Sequence, residues 1–265
     1  MLLAQISDLH VTEPGQLLCG RVDTAGYVRR CVARLGALAT VPDAVVITGD
    51  LVDRGTIREY ETLRELLAPL TMPVYLLLGN HDDRAAFRAV FGAAPYPGAA
   101  GDFLQYGFDV GELRVLALDT LEPGKSGGTL CATRRAWLTR ELDQARGRPV
   151  VIAMHHPPFA TGIPFMDRCG LDRRDAAELA VIVAHHPNVE RVICGHLHRS
   201  IHARFAGTIA ATSPSPAHQL ALGFTPDAVV GFAMEPPAFV QHVWIDAMLV
   251  SHHTQLEPFE GPIAY

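Results

Sequence analysis

Met1-Leu-Leu-Ala-Gln-Ile-Ser-Asp-Leu-His10 is an apolar run that stops abruptly at a carboxylate and an imidazole two residues apart. The same pattern recurs along the chain in PDAVVITGD (42–50), VYLLLGNHDD (74–83), VVIAMHHP (150–157) and RVICGHLH (191–198). Each apolar segment alternates little, as expected of a strand covered on both faces. Each ends in residues that bind hard or borderline metals. One such junction alone is compatible with a turn, because Gly, Asn and Asp tolerate unusual backbone angles. Five of them, each after a strand, imply a common edge of a sheet. In parallel sheets the loops after the strands' carboxyl ends gather on one side and form the binding crevice.

The segments between the runs read as helices. Tyr27–Leu38, Arg58–Leu67, Arg134–Ala145 and Asp175–Ala184 carry apolar residues at helical spacing, and Leu113–Leu118 is a further strand. Strands alternating with helices predict βαβ units and a largely parallel sheet. The last third changes character. Pro214, Pro216, Pro226, Pro236 and Pro237 interrupt it, and Ala238–Ile245 and Met248–His253 resemble a hairpin turning at Asp246-Ala247. Ala93–Gly101, rich in Ala, Pro and Gly, reads as a surface loop.

The 265 residues carry a net charge of −6, and 49% are apolar, enough for a large core without disulfides. The acidic balance argues against a nucleic-acid polymer as partner, which calls for a basic face. It permits a small anionic substrate, since metal ions can supply local positive charge. The five cysteines are widely spaced, with no CxxC, so neither a disulfide framework nor a zinc knuckle is expected. No apolar run approaches a membrane span, and the first residues lack the basic region of a signal peptide. A cytoplasmic location is therefore expected.

The donor set at the strand ends is Asp8, His10, Asp50, Asn80, His155, His196 and His198. It is too large for one ion and suits two that share a bridge. Imidazole, carboxylate and amide oxygen together favour Fe, Mn, Zn or Co. Two such ions about 3.5–4 Å apart form a clamp for in-line displacement at phosphorus. Residue chemistry alone does not choose between His155 and His156.

The ordered series DxH, GD, GNHD, HHP and GHxH resembles the calcineurin-like metallophosphoesterases, and the resemblance runs from Leu2 to about Ser200. Within that superfamily the chain looks most like bacterial glycerophosphodiesterases and class III cyclic-nucleotide phosphodiesterases. The resemblance implies a four-layer αββα sandwich of two mixed β-sheets flanked by helices. It implies a catalytic domain over 1–220, followed by 221–265 as a cap or oligomerisation hairpin packed on it. It assigns Asp8, His10 and His198 to one transition metal and Asn80, His155 and His196 to the other, with Asp50 as bridge and His155 as the ligand of the adjacent pair. His81 matches a histidine that contacts the substrate phosphate or protonates the leaving oxygen; an orienting role behind the ligands is the alternative. His218 corresponds to another active-site histidine, and Asn80, His81 and His218 would touch substrate.

Asp53, Asp82 and Asp119 are expected to orient or cap rather than catalyse, and Lys125 and Arg54 to be solvated loop charges. The implied activity is hydrolysis of small phosphodiesters, cyclic nucleotides or glycerophosphodiesters, by in-line attack of a metal-bridging hydroxide. A phosphomonoesterase or nucleotidase, and a catalytically idle binding module, are the alternatives. Close relatives imply a homo-oligomer. The stretch Leu220–Pro237 matches little of the pattern.

Overall fold

In the computed structural model, residues 1–92, 102–261, 263 and 264 are described, so the loop expected at 93–101 lies outside the described residues. Two sheets face each other. The first has strand order β13-β12-β1-β2-β3, with β1 Leu2–Ile6, β2 Ala44–Thr48, β3 Val74–Leu77, β12 Ala238–Ile245 and β13 Met248–Gln255. The second runs β4-β5-β6-β7-β9-β8, with β4 Tyr106–Val110, β5 Leu113–Ala117, β6 Val150–Ala153, β7 Val189–Cys194, β8 Ile201–Phe205 and β9 Thr208–Thr212. The pairs β1–β2, β2–β3, β5–β6, β6–β7 and β7–β9 are parallel. Strands β4, β8 and β12 run antiparallel to their neighbours, which makes both sheets mixed.

Side-chain alternation in the second sheet explains the layering. Val115, Val151 and Ile193 pack into the core shared with the first sheet. Leu116, Ile152 and Val192, one residue along, pack instead with Leu138, Leu142, Leu179 and Val183 of α4 Ala132–Gln144 and α5 Arg173–Ala184. That is the period-2 geometry of strands buried on both faces. The far side of the first sheet is covered by α1 Thr24–Gly36, α2 Ile57–Leu67 and α3 Arg84–Phe91, through residues such as Val28, Leu35, Tyr60, Leu63 and Phe87. The four layers expected from the resemblance are thus present.

The interior between the sheets is tied by polar groups just below the site. Gln5 Nε2 donates to Thr48 Oγ1 (3.0 Å) and to the Cys194 carbonyl (2.9 Å), joining β1, β2 and β7. Helix α3 starts at Asp83, whose side chain accepts from Ala86 N (2.8 Å), so the second acid of GNHDD is a helix cap. The buried Asp119 accepts from Arg84 Nε at 2.7 Å and from Nη2 at 2.6 Å, a structural pair.

The C-terminal segment is built into the core. Within it, β11 Phe232–Ala233 pairs with β10 Gln219–Leu220. The hairpin turns at Asp246 and Ala247, both with positive φ (50° and 57°), as a two-residue turn matching strand twist requires. β12 then lies against β1, with Leu2 opposite Val243 and Gln5 opposite Val240.

Candidate metal centre

Every candidate ligand sits within the few residues that follow a strand of β1, β2, β3, β6 or β7, and the sheets bring these ends together. The turns are tight. Asp8, His10, Asp50, His196 and His198 all have φ between 44° and 72°, a region that non-glycine residues seldom occupy. Such strain costs about 1–3 kcal/mol per residue and persists only where the surroundings enforce it. Here Leu9 and Leu197, fully buried between the paired ligands, pin each turn to the core.

The motif glycines have a packing reason. A β-carbon on Gly79 would stand 2.2 Å from Asp50 Oδ1, and one on Gly195 would stand 2.1 Å from Ser7 Oγ and 2.7 Å from the Thr48 carbonyl. The ligand-bearing loops approach so closely that only hydrogen fits between them.

Asp50 lies at the middle. Its Oδ2 is 3.5 Å from His10 Nε2 and 3.4 Å from His155 Nε2, and its Oδ1 accepts the His81 backbone N–H at 2.9 Å. On one side His10 Nε2 and His198 Nε2 are 3.2 Å apart, and Asp8 Oδ1 is 3.5 Å from His198 Nε2. On the other, His155 Nε2 is 3.2 Å from Asn80 Oδ1, and the His155 and His196 ring centres are 5.1 Å apart. Asp8 is fixed by the His196 backbone N–H, which donates to its Oδ1 at 2.9 Å.

The donor chemistry fits cations. His155 Nδ1 lies 2.8 Å from the Thr48 carbonyl and His198 Nδ1 lies 3.1 Å from the His218 carbonyl. A carbonyl only accepts, so these Nδ1 atoms carry the protons and each Nε2 presents a bare lone pair. Those lone pairs face carboxylate oxygens and one another, a contact that is repulsive until something positive stands between them. Nε2 of His196 is buried with no hydrogen-bond partner among the described residues.

The electrostatics agree. Burial opposes charge on His155, but the carboxylates of Asp50 and Asp8 outweigh it and push it up to about 9, so Nε2 takes up a second proton, and a metal ion would compete with that proton for the same lone pair. Burial opposes the Asp50 charge too, yet the imidazoles of His155, His10 and His81 hold its carboxyl well below the usual range. Burial raises Asp8 to about 6 and lowers His196 and His198 to about 3, keeping these imidazoles in the neutral form that ligates metals.

His81 stands at the rim. Its ring centre is 4.5 Å from that of His10, and its Nδ1 is 2.8 Å from the Asp53 carbonyl, leaving Nε2 available. His218 is buried, its ring centre 4.6 Å from that of His198, with Nδ1 unpartnered among the described residues. Burial drives it down to about 2. Asp82 ties two ligand loops together: Oδ2 accepts from Gly79 N (2.8 Å) and Leu51 N (3.1 Å), while Oδ1 accepts from Tyr60 OH (2.9 Å). Lys125 pairs with Glu122 and Arg54 lies beside Asp53, both with largely exposed side chains.

Two further residues stand beside the ligands. Asp53 Oδ1 is 3.8 Å from Nδ1 of both His10 and His81, placed to orient the two rings. His156 is fully buried against His155 and His196, with Nδ1 2.8 Å from Thr120 Oγ1. Its only sequence signal is adjacency to His155. The donors open into a cleft of about 360 Å³ whose other wall is apolar.

A four-layer sandwich that collects seven imidazole, carboxylate and amide donors at one edge of its two sheets has the architecture of a two-metal phosphoester hydrolase. The chain belongs to the calcineurin-like phosphoesterase family, whose model matches residues 1–200. It is 32% identical over 266 residues to a probable glycerophosphodiester phosphodiesterase, GpdQ, of Arcobacter nitrofigilis, covering 100% of this chain and 97% of that one. It is 33% identical over 225 residues to a 3′,5′-cyclic adenosine monophosphate phosphodiesterase, CpdA, of Pseudomonas aeruginosa, covering 84% of this chain and 79% of the other. Among solved structures it superposes on a dimetal phosphatase from Danio rerio with a TM-score of 0.72 at 15% identity, covering 97% and 96% of the two chains.

Proposed function

We propose that this chain hydrolyses small phosphodiesters, cyclic nucleotides or glycerophosphodiesters among them, with two transition metal ions (Fe, Mn, Zn or Co) held by Asp8, His10, Asp50, Asn80, His155, His196 and His198. The observation that carries the diester over the monoester is the charge of the cleft. No Lys or Arg is found among its described lining residues. A monoester dianion generally calls for more positive charge than a diester monoanion, and here only the ions and the histidines supply it. The names of the glycerophosphodiester and cyclic-nucleotide relatives support the same reading.

The ions, when bound, supply an acidified water and a positive clamp on the phosphoryl oxygens. Asp50 would be shared by the two ions, while its Oδ1 accepts the His81 backbone N–H. Asn80 directs Oδ1 inward, which leaves its N–H donors for a phosphoryl oxygen. As the oxygen of water bonds to phosphorus, the bond to the leaving oxygen breaks. His81, with Nδ1 fixed on the Asp53 carbonyl, delivers a proton to that oxygen from Nε2. His218 contacts the substrate beside His198.

The test is a panel of glycerophosphoethanolamine, 3′,5′-cyclic AMP, bis(p-nitrophenyl) phosphate and p-nitrophenyl phosphate, with metal analysis. The expected result is about two metal ions per chain, faster turnover of the diesters, and loss of activity on chelation that added Mn or Co restores. Full activity of metal-free protein, or a preference for the monoester, would refute the reading.

The five free cysteines fit a reducing cytoplasm. Among the described residues no strand pairs with the outer edge of β13, which supports assembly into a homo-oligomer through that edge. Sedimentation velocity at micromolar concentration should show a dimer or larger species, and a monomer would reject it.

A further inference from the structure

The donors above account for one end of the cleft. The opposite wall is formed by Leu18, Phe165, Met166, Leu220, Val230 and Phe232. Outside the group of histidines, Asp50, Asp53 and Asn80, the only polar side chains among the described lining residues are Ser126, Cys19 and Cys169. A glycerol or a base edge would find few hydrogen-bond partners there.

The apolar wall does not end inside. Phe165, Leu220 and Val230 also line a smaller neighbouring pocket that adds Ile163, Ala228 and Val229, with Arg168 its only charged side chain among the described residues. The surface around it exposes further apolar side chains: Leu222, Phe224 and Val229 are 53%, 65% and 82% exposed. Phe224 lies over Gly162, in the same loop as Phe165. Isolated exposed apolar residues are ordinary on any protein. Apolar side chains that extend in a strip from a reaction centre through a neighbouring pocket to the surface are a binding feature.

Taking the centre to hydrolyse phosphodiesters, we infer that it accepts amphiphilic ones, in which one ester group is a single alkyl chain. The phosphorus sits at the metal donors. The chain passes Phe165, Leu220 and Val230 and emerges between Val229 and Phe224. Hydrolysis adds the oxygen of water to phosphorus and expels the other ester oxygen as its alcohol, leaving the alkyl phosphate.

The experiment uses the metal-loaded full chain and p-nitrophenyl alkyl phosphates from methyl to decyl, below their micellar concentrations. Each methylene that enters the strip is expected to raise kcat/KM about three- to fourfold until the chain passes Val229. In a Phe224→Ser, Val229→Ser double variant, whose altered positions are exposed, the longer members should lose this gain. The slope of the series, rather than the absolute rate, is the readout. A flat series in the wild type with the methyl ester still turned over overturns the inference and leaves the phosphodiesterase reading standing. Absence of turnover for every member overturns both. A slope unchanged in the double variant overturns the assigned path. A flat series together with a dimer that the double variant abolishes assigns the strip to a second copy of the chain.

Discussion

Replacing Asp50 by asparagine should lower diester turnover by about 10²–10³-fold and strip metal from both positions, with the fold retained. The substitution keeps the shape of the side chain, and its Oδ1 can still accept the His81 backbone N–H, which is 2.9 Å away in the wild type. What it removes is the negative charge at the point where His10 and His155 converge, 3.5 and 3.4 Å from Oδ2. A ligand to one ion alone would leave the other position filled. Metal analysis therefore separates the cases: Asp50→Asn should lose both of the about two ions per chain, whereas loss of one alone would make Asp50 a ligand to a single position. Retention of both ions with more than a tenth of the turnover would remove Asp50 from the centre of the site.

Gly79→Ala should be nearly as damaging, although the residue donates nothing to a metal. Its new methyl group would lie 2.2 Å from Asp50 Oδ1, 2.5 Å from Asp50 N and 2.7 Å from His155 Cε1. The loop has little room to retreat, because Gly79 N donates to Asp82 Oδ2, which also holds Leu51 N. Asp50 and His155 must move instead. A loss of about 10²-fold in turnover and about 1–3 kcal/mol in stability is expected. Gly36→Ala, at the end of α1 with nothing within 4 Å of the added carbon, serves as the control. Turnover, metal content and denaturant midpoint are the measurements, and wild-type values for all three in Gly79→Ala would refute the close-packing account.

The parts of the fold that the sequence made legible are those in which one local signal dominates. The apolar runs at Leu2–Ile6, Ala44–Thr48 and Val150–Ala153 are buried on both faces, so their composition alone marks them. The ligands stood out because histidine, aspartate and asparagine rarely end so many strands by chance. Less legible were β4, β8 and β9. Tyr106–Val110 carries a glycine and an exposed aspartate, and Ile201–Phe205 alternates between half-buried and exposed positions, so neither resembles a buried strand. The separation into two facing sheets depends on which of Val115 and Leu116 looks inward, a choice that no local pattern encodes. The backbone strain at Asp8, His10, Asp50, His196 and His198 is likewise invisible in sequence, since Asp and His tolerate positive φ better than most residues yet adopt it in only a minority of cases. The reason for Gly79 and Gly195 lies in contacts between loops far apart in the chain.

The place of β12 beside β1 bears on how far this chain can be shortened. The family match ends at residue 200, yet the strand that leads into Asp8 and His10 has β2 on one side and β12 on the other, with Leu2 opposite Val243. Cutting the chain after the last histidine of the centre would strip away that outer neighbour and leave a row of unsatisfied amide and carbonyl groups along β1. An open, flat, apolar edge of this kind recruits other chains. A fragment trimmed to the recognisable motifs would keep every metal donor and be prone to precipitate.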